Sequence, residues 1–333
     1  MAELGSEELD VIGVGNALVD VLCHESEAFL ERQGLVKGTM QLVDEARARE
    51  IYDAMGPAVE ISGGSAANTI VGVASFSGRA HYVGKVRDDQ LGEVFAHDLR
   101  SVGVRYTTSM TTSGPSTGRC LIVVTPDAQR TMNTYLGAST LLGPADIDPS
   151  VIKRGRILYL EGYLFDPPAA QQAFRVAAEM AHAAGRKVAL TLSDPFCVNR
   201  HRAAFLELVE HHVDVLFANE LEICALYQAN DFSAALARVR RHCEVAALTR
   251  SERGSVVAAG DEIYVVDAHR VNAVIDTTGA GDLYASGFLF GLSRGLGLAI
   301  CGRLGALAAA EVISHVGARP VASLAGVARA LLP

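Results

Sequence analysis

The stretch Ile275-Asp276-Thr277-Thr278-Gly279-Ala280-Gly281-Asp282 sets two acids around a Gly-Ala-Gly turn, and Leu283 to Leu292, an apolar run of helical length, follows at once. A glycine-rich turn that opens a helix points several backbone N–H groups at one place, backed by the positive end of the helix dipole, and therefore suits an anion. Gly279 and Gly281 let the backbone approach that anion closely, and Ala280 adds almost no bulk. Asp276 or Thr277 as a helix cap, with Asp282 merely favouring the dipole, accounts for single acids in such a place. Capping does not account for two glycines separated by alanine, nor for an acid beside an anion cradle, where it is repelled. An acid there is sensible as the acceptor of a proton from a substrate hydroxyl that attacks phosphorus.

Working outward, short apolar runs (Arg156 to Leu160, Val188 to Leu192, Val213 to Ala218, Val245 to Leu248) alternate with stretches of helical length such as Pro168 to Ala184 and Phe232 to His242. That alternation predicts an α/β fold with parallel strands and crossover helices. Ser255 to Ala259 and Ile263 to Asp267 flank Gly260-Asp261 and read as a hairpin. Two helices are expected after the turn, roughly Ala280 to Arg294 and Leu298 to His315. The first 135 residues differ. After an opening strand, Asp10 to Gly15, come short runs rich in Thr, Gly and Ser (Gly34 to Val43, Val104 to Met110, Thr117 to Thr125, Thr131 to Tyr135) that suit a small, partly exposed sheet. Helices are expected near Ser65 and Gln90, so the core draws on this half too, and the small sheet reads as inserted rather than appended.

With 333 residues, half of them hydrophobic, the chain can bury a large core. A net charge of −9, without a basic track carrying interleaved aromatics, speaks against nucleic acid as a partner. The acidic start MAELGSEELD is unlike a secretory leader, and no long uncharged apolar stretch predicts a membrane span. Cys23, Cys120, Cys197, Cys224, Cys243 and Cys301 lack C-x-x-C spacing, so neither a zinc site nor a disulfide framework is expected, and a reducing cytoplasm is. Gly84-Lys85-Val86 is not the end of a P-loop, and Leu18 stands where a dinucleotide fingerprint after Gly13-Val14-Gly15 needs its third glycine.

Four separated motifs together resemble the ribokinase or PfkB carbohydrate kinase family over nearly the whole chain. Ser62-Gly63-Gly64-Ser65-Ala66-Ala67-Asn68 is similar to its G-G-x-x-x-N sugar motif, and Gly84 to Gly92 to the G-x-x-x-D-x-x-G run that follows. Asn219-Glu220-Leu221-Glu222 is similar to N-x-x-E, and Asp276 to Asp282 to D-T-x-G-A-G-D. The resemblance implies one kinase unit over 1–333: a ribokinase-like three-layer αβα core with a mainly parallel sheet, and a small β-sheet lid from insertions at about 16–45 and 104–135. The nucleotide-binding part is implied at about 190–333. It further implies Asp282 as catalytic base, with Gly279, Ala280 and Gly281 holding the charge that develops on the phosphoryl group. ATP is implied as donor, near Asn219, Thr249, Arg250, Gly254, Gly279 and Gly281. Asn219 and Glu222 would act on Mg2+ through water, and Asp276 with the Thr278 carbonyl and the turn near Val316 to Arg319 would form the monovalent cation site, for K+, that many members have.

Gly15-Asn16-Ala17-Leu18-Val19-Asp20 resembles the opening of the adenosine kinase branch, with Ala17 in place of a proline. In that reading Asp20, Gly63, Gly64 and Asn68 meet the ribose hydroxyls alongside Asn16, and a carboxylate suits a vicinal diol because it accepts two hydrogens. Asp20 as a strand-end turn residue is the plainer alternative. Thr117-Gly118-Arg119-Cys120 resembles a lid strand of that branch. Leu18, Cys120, Tyr163 and Phe196 would supply flat apolar walls for a purine, while plain core packing serves equally for Cys120 and Phe196. Ser251 departs from the family's T-x-G-x-x-G at Thr249 to Gly254; if the position needs positive φ, serine is strained there and the contact with the donor altered. The implied activity is phosphoryl transfer from ATP to the 5'-hydroxyl of a ribonucleoside, adenosine first, with a sugar kinase acting on ribose, fructose or a related furanose as the alternative. A noncatalytic ligand sensor has no use for a base at the phosphate. The chain is expected as a monomer or a lid-paired homodimer.

Overall fold

Residues 7–127 and 129–332 are described by the computed structural model; the ends of the expected unit 1–333, and Ala128 within the expected lid stretch, lie outside the described residues. Among the described residues, fourteen strands run in chain order: β1 Leu9–Val14, β2 Leu18–His24, β3 Met40–Leu42, β4 Val59–Gly63, β5 Ala80–Val83, β6 Arg105–Tyr106, β7 Gly118–Val124, β8 Arg130–Tyr135, β9 Gly155–Glu161, β10 Lys187–Thr191, β11 Val215–Asn219, β12 Val245–Thr249, β13 Ser255–Ala259 and β14 Glu262–Val266. Nine of them form one sheet in the order β14-β13-β12-β11-β10-β9-β1-β5-β6, parallel from β12 to β6 and closed at the other edge by the expected hairpin. Its interior strands read as unbroken apolar runs because helices cover both faces. Alternate residues point to opposite layers. Leu158, Leu160 and Leu190 meet Phe174, Phe205 and Ile223 of helices Pro168–Ala183, Pro195–His211 and Glu220–Tyr227. Ile157, Tyr159 and Ala189 meet Ile70, Tyr284 and Phe288 of helices Ser65–Ser75 and Ala280–Ser293. This is the three-layer αβα core.

The remaining five strands form a mixed sheet, β3-β8-β7-β2-β4. One face is covered by helices Glu27–Arg32 and Glu45–Ala54, through Phe29 and Leu30 against Cys23 and Val123, and Ala48 and Ile51 against Val19, Val21 and Leu121. The other face carries Leu18, Asp20, Cys120, Ile122, Met132 and Thr134 towards a cleft.

Two assignments from the sequence are corrected by the pairing. Arg105 and Tyr106 belong to the large sheet, where they pair with His81 and Tyr82; Tyr106 is drawn there by its packing on Phe95 and a hydrogen bond to the Gly84 carbonyl of 2.9 Å. Val59–Gly63, outside the expected lid stretches, is the edge strand of the small sheet, antiparallel to β2. Its exposed Val59 and Ile61 flank a polar Glu60, a pattern too short to separate from a loop. Among the described residues, no helix is long and apolar enough to cross a membrane.

Candidate functional site

A cleft of about 1330 Å³ lies between the two sheets, above the C-terminal ends of β9 to β12. Such strand ends and a helix amino terminus are where open α/β sheets receive ligands. Gly279, at φ +78°, turns the chain into helix Ala280–Ser293, which has no side-chain cap, so neither Asp276 nor Thr277 caps it. Asp276 shapes the turn instead. Its Oδ1 accepts from the Thr278 amide at 3.0 Å and hydroxyl at 2.7 Å, and its Oδ2 from the Gly317 amide at 2.9 Å. The space above Gly281 is open, whereas a side chain on Gly279 would strike Ala318.

Asp282 sits in the first helical turn. Ser65 Oγ donates to its Oδ1 at 2.6 Å and Asn68 Nδ2 to its Oδ2 at 3.1 Å. Burial pushes the Asp282 carboxyl up to about 6, against the pull of those two donors. Both donors come from helix Ser65–Ser75, and Gly72 allows the close approach to Ser286 that brings the two helices together. Asp20 lies opposite on β2, pushed up to about 6 by burial and pulled back by Arg319 and Arg130. Gly63 leaves the room Asp20 needs, since a Cβ there would fall 2.3 Å from its Oδ1. Asn16 is fastened by its amide to Glu161 Oε1 at 2.7 Å, and its Oδ1 accepts from Ser139 at 2.9 Å. Glu161 also accepts from the Ala66 amide, and burial holds it up at about 7.

At the end of β11, Asn219 and Glu222 form a capping box: each accepts from the other's backbone amide, at 2.9 and 2.8 Å, and Asn219 Nδ2 donates to Glu222 Oε1 at 2.6 Å. Burial pushes Glu222 up to about 7. Ser251 has φ +53°, so the position does demand the left-handed region.

Residues 40–324 match the pfkB family of carbohydrate kinases. The chain belongs to this family. It is similar to the solved adenosine kinase from Sinorhizobium meliloti, with 52% identity, a TM-score of 0.90, and 98% of this chain and 100% of that chain covered. It is similar also to the probable sugar kinase protein from Rhizobium etli CFN 42, with 48% identity, a TM-score of 0.91 and the same coverage. A curated relative, 5-dehydro-2-deoxygluconokinase of Geobacillus thermodenitrificans, is 27% identical over 289 residues, 82% of this chain and 86% of the other. As a pfkB kinase, the protein takes ATP as phosphate donor and a small molecule as acceptor.

Most residues singled out in this pfkB chain converge on the cleft. Asn16, Leu18, Asp20, Gly64, Asn68, Cys120, Tyr163, Phe196, Asn219, Glu222, Thr249, Gly254, Thr278 and Gly279 to Asp282 all line it. Arg250 and Asp276 depart from expectation, and exposure decides between the two readings of Phe196. Arg250 is turned away, its guanidinium 4.3 Å over the Phe232 ring and its Nε 3.4 Å from Glu220, because helices Phe232–Val239 and Glu220–Tyr227 offer it a π-face and a charge. Phe196 is 78% exposed at the rim and belongs to no core. Asp276 does not fit a monovalent cation ligand: besides its three hydrogen bonds, Arg130 Nη1 lies 2.7 Å from Oδ2, and the pair is more than nine-tenths buried. Magnesium finds no ready cage, since no group of three His, Cys, Asp or Glu is placed for a metal among the described residues. That fits an ion carried by nucleotide phosphates, which keeps most of its water.

Several cleft residues escaped sequence reading. Ser65, Leu42 and Met132 are brought in by helix position and strand register, and Arg130 stands behind the lining against Asp276, which no local pattern announces. Arg130 is paired through Nη1 with Asp276 behind the turn, and its Nε is buried without a hydrogen-bond partner. Arg319 lay in plain view two residues beyond Gly317, but its neighbours Asn68 and Ser62 are some 250 positions away.

Proposed function

We propose that the protein transfers the γ-phosphoryl group of ATP to the 5'-hydroxyl of a ribonucleoside, with adenosine the first candidate. One observation carries this reading: around the Asp20 carboxylate the small-sheet side of the cleft is lined by Leu18, Leu42, Cys120, Ile122, Met132 and Leu136. A purine needs such flat apolar walls, whereas a free furanose is all hydroxyls and needs polar ones. Similarity to the Sinorhizobium meliloti adenosine kinase supports the same reading.

Asp20 accepts hydrogens from the ribose diol, with Gly64 and Asn68 beside it. Asp282 takes the proton of the 5'-hydroxyl as that oxygen attacks phosphorus, a role that suits a base poised near neutrality. The amides of Gly279, Ala280 and Gly281 stabilise the charge on the phosphoryl oxygens. Magnesium, when bound with ATP, neutralises phosphate charge, and Asn219 and Glu222 would hold its water. The small sheet acts as a lid that excludes competing water. One face of the lid is covered by its own helices, while Val36 and the edge-strand residues Val59 and Ile61 are exposed, apolar surface that would suit a lid-paired homodimer. A cytoplasmic site of action accords with the six free cysteines.

The test is ADP formation with magnesium and ATP against adenosine, guanosine, inosine, cytidine, ribose and fructose. Turnover on nucleosides, with 5'-deoxyadenosine competing but not turning over, is the expected result. Turnover on ribose or fructose alone would make it a sugar kinase, in line with its likeness to the Rhizobium etli protein.

A further inference from the structure

Three consecutive residues of the C-terminal turn reach both halves of the cleft. The Gly317 amide donates to Asp276, Ala318 lies against Gly279, and Arg319 continues to the acceptor side. Arg319 is half-buried; its Nε donates to Asn68 Oδ1 at 3.2 Å and its Nη1 to Ser62 Oγ at 2.7 Å, while Asp20 and Asp98 carry the charges that face it. Ser62 is on the edge strand of the small sheet and Asn68 on the helix that holds Asp282. One guanidinium thus spans lid, helix and turn.

The Asn68 amide has two faces, and only one is useful. With its oxygen on Arg319, its NH2 falls on Asp282 Oδ2 at 3.1 Å. Turned over, the oxygen would face the carboxylate and repel it, and no other hydrogen bond to Oδ1 is made among the described residues. Ser65 alone would then hold Asp282, by one oxygen. Nη2 of Arg319 makes no hydrogen bond and is screened from solvent, so the side chain is placed for its geometry and its charge on Asp20, not for contact with water.

We propose that Arg319 is a positioning residue: it sets the orientation of the Asn68 amide, and through it the Asp282 carboxylate, while balancing Asp20 from behind. One side chain thereby aligns the group that grips the acceptor with the group that takes its proton. The inference rests on the roles given to Asp20 and Asp282 above. It requires an arginine, because a planar fork reaches Asn68 and Ser62 at fixed angles and a lysine ammonium does not.

The experiment is a double-mutant cycle by steady-state kinetics, using Arg319→Lys, Arg319→Met, Asn68→Ala and Arg319→Met/Asn68→Ala, each checked for cooperative thermal unfolding, on whichever acceptor of the panel turns over. Arg319→Lys keeps the charge and so remains available if Arg319→Met does not fold. The expected result is that kcat falls about 10- to 100-fold in either Arg319 variant with a smaller change in KM, and that the double variant is within about twofold of Asn68→Ala alone. Wild-type kcat in Arg319→Lys would overturn the proposal, since charge alone would suffice. So would multiplication of the two effects in the double variant, since Arg319 would then act independently of Asn68. Failure of the nucleoside reading shows elsewhere, in wild-type turnover on free sugars, and leaves the cycle as decisive on that acceptor. Activity in Asp282→Asn overturns both.

Discussion

Gly279 and Gly281 are two residues apart in one turn, yet they face opposite constraints, and alanine at each separates folding from chemistry. At Gly279, φ is +78°, and an added Cβ would lie 2.8 Å from both the Ala318 Cα and its carbonyl oxygen. The left-handed conformation costs a non-glycine residue about 1–2 kcal/mol. Displacing packed backbone costs about 1–3 kcal/mol more. Gly279→Ala should therefore lose roughly 2–5 kcal/mol of stability, and lose activity too, because Ala318 cannot move without its neighbours Gly317 and Arg319. At Gly281 the backbone is helical and nothing lies within 4 Å of an added Cβ. Gly281→Ala should keep or raise stability, by up to about 1 kcal/mol from helix propensity. Its methyl group fills the space in which the phosphoryl group is proposed to sit, and a displacement of about 1 Å there can cost roughly 10²-fold in turnover. Urea unfolding midpoints and kcat for both variants read the two effects separately. A fully active Gly281→Ala, or a Gly279→Ala with the wild-type midpoint, would refute the reasoning.

The remaining predictions concern charge, strain and the rim. Because Asp282 must be ionised to accept a proton, kcat/KM should rise with pH through an acid limb near pH 6, a limb shared with the neighbouring Asp20, which titrates in the same range. Linkage runs the other way for stability. A carboxyl raised from 3.8 to about 6 by burial holds its proton more tightly folded than unfolded, so its contribution is lost as pH rises between those values. Asp282→Asn should then raise the melting temperature at pH 8 and change it little near pH 4, while abolishing turnover; equal shifts at both pH values would contradict the burial argument. Ser251→Gly relieves the left-handed strain and should gain up to about 1 kcal/mol by urea unfolding, with any kinetic change confined to KM for ATP. Phe196→Ala, at an exposed rim position, should leave stability within about 0.5 kcal/mol and raise KM for the nucleoside; an unchanged KM removes Phe196 from the acceptor site.

Where a local rule governs, the sequence was readable. The alternation after residue 150 became β9 to β12 with their crossover helices, and the Gly260-Asp261 hairpin closes the sheet as expected. Serine at 251 announced its own positive φ through the glycine it replaces. What escaped depends on contacts between distant segments. Arg105–Tyr106 and Val59–Gly63 are too short for periodicity to assign, and only pairing to β5 and β2 decides their sheets. Asp276 carries no signal that Arg130, 146 positions earlier, lies against it. The capping box of Asn219 and Glu222 illustrates a further difficulty, since one set of residues satisfies a helix terminus and a motif tied to magnesium at once.

The most direct measurement is the ratio of kcat/KM for adenosine to that for ribose, with phosphorus NMR of the product and Asp282→Asn as the blank. The account predicts a ratio above about 10²-fold, since burying a nucleobase against apolar walls is worth several kcal/mol. It also predicts a 5'-monophosphate product and silence in the variant. A ratio near or below one, or a product phosphorylated at another position, would contradict it.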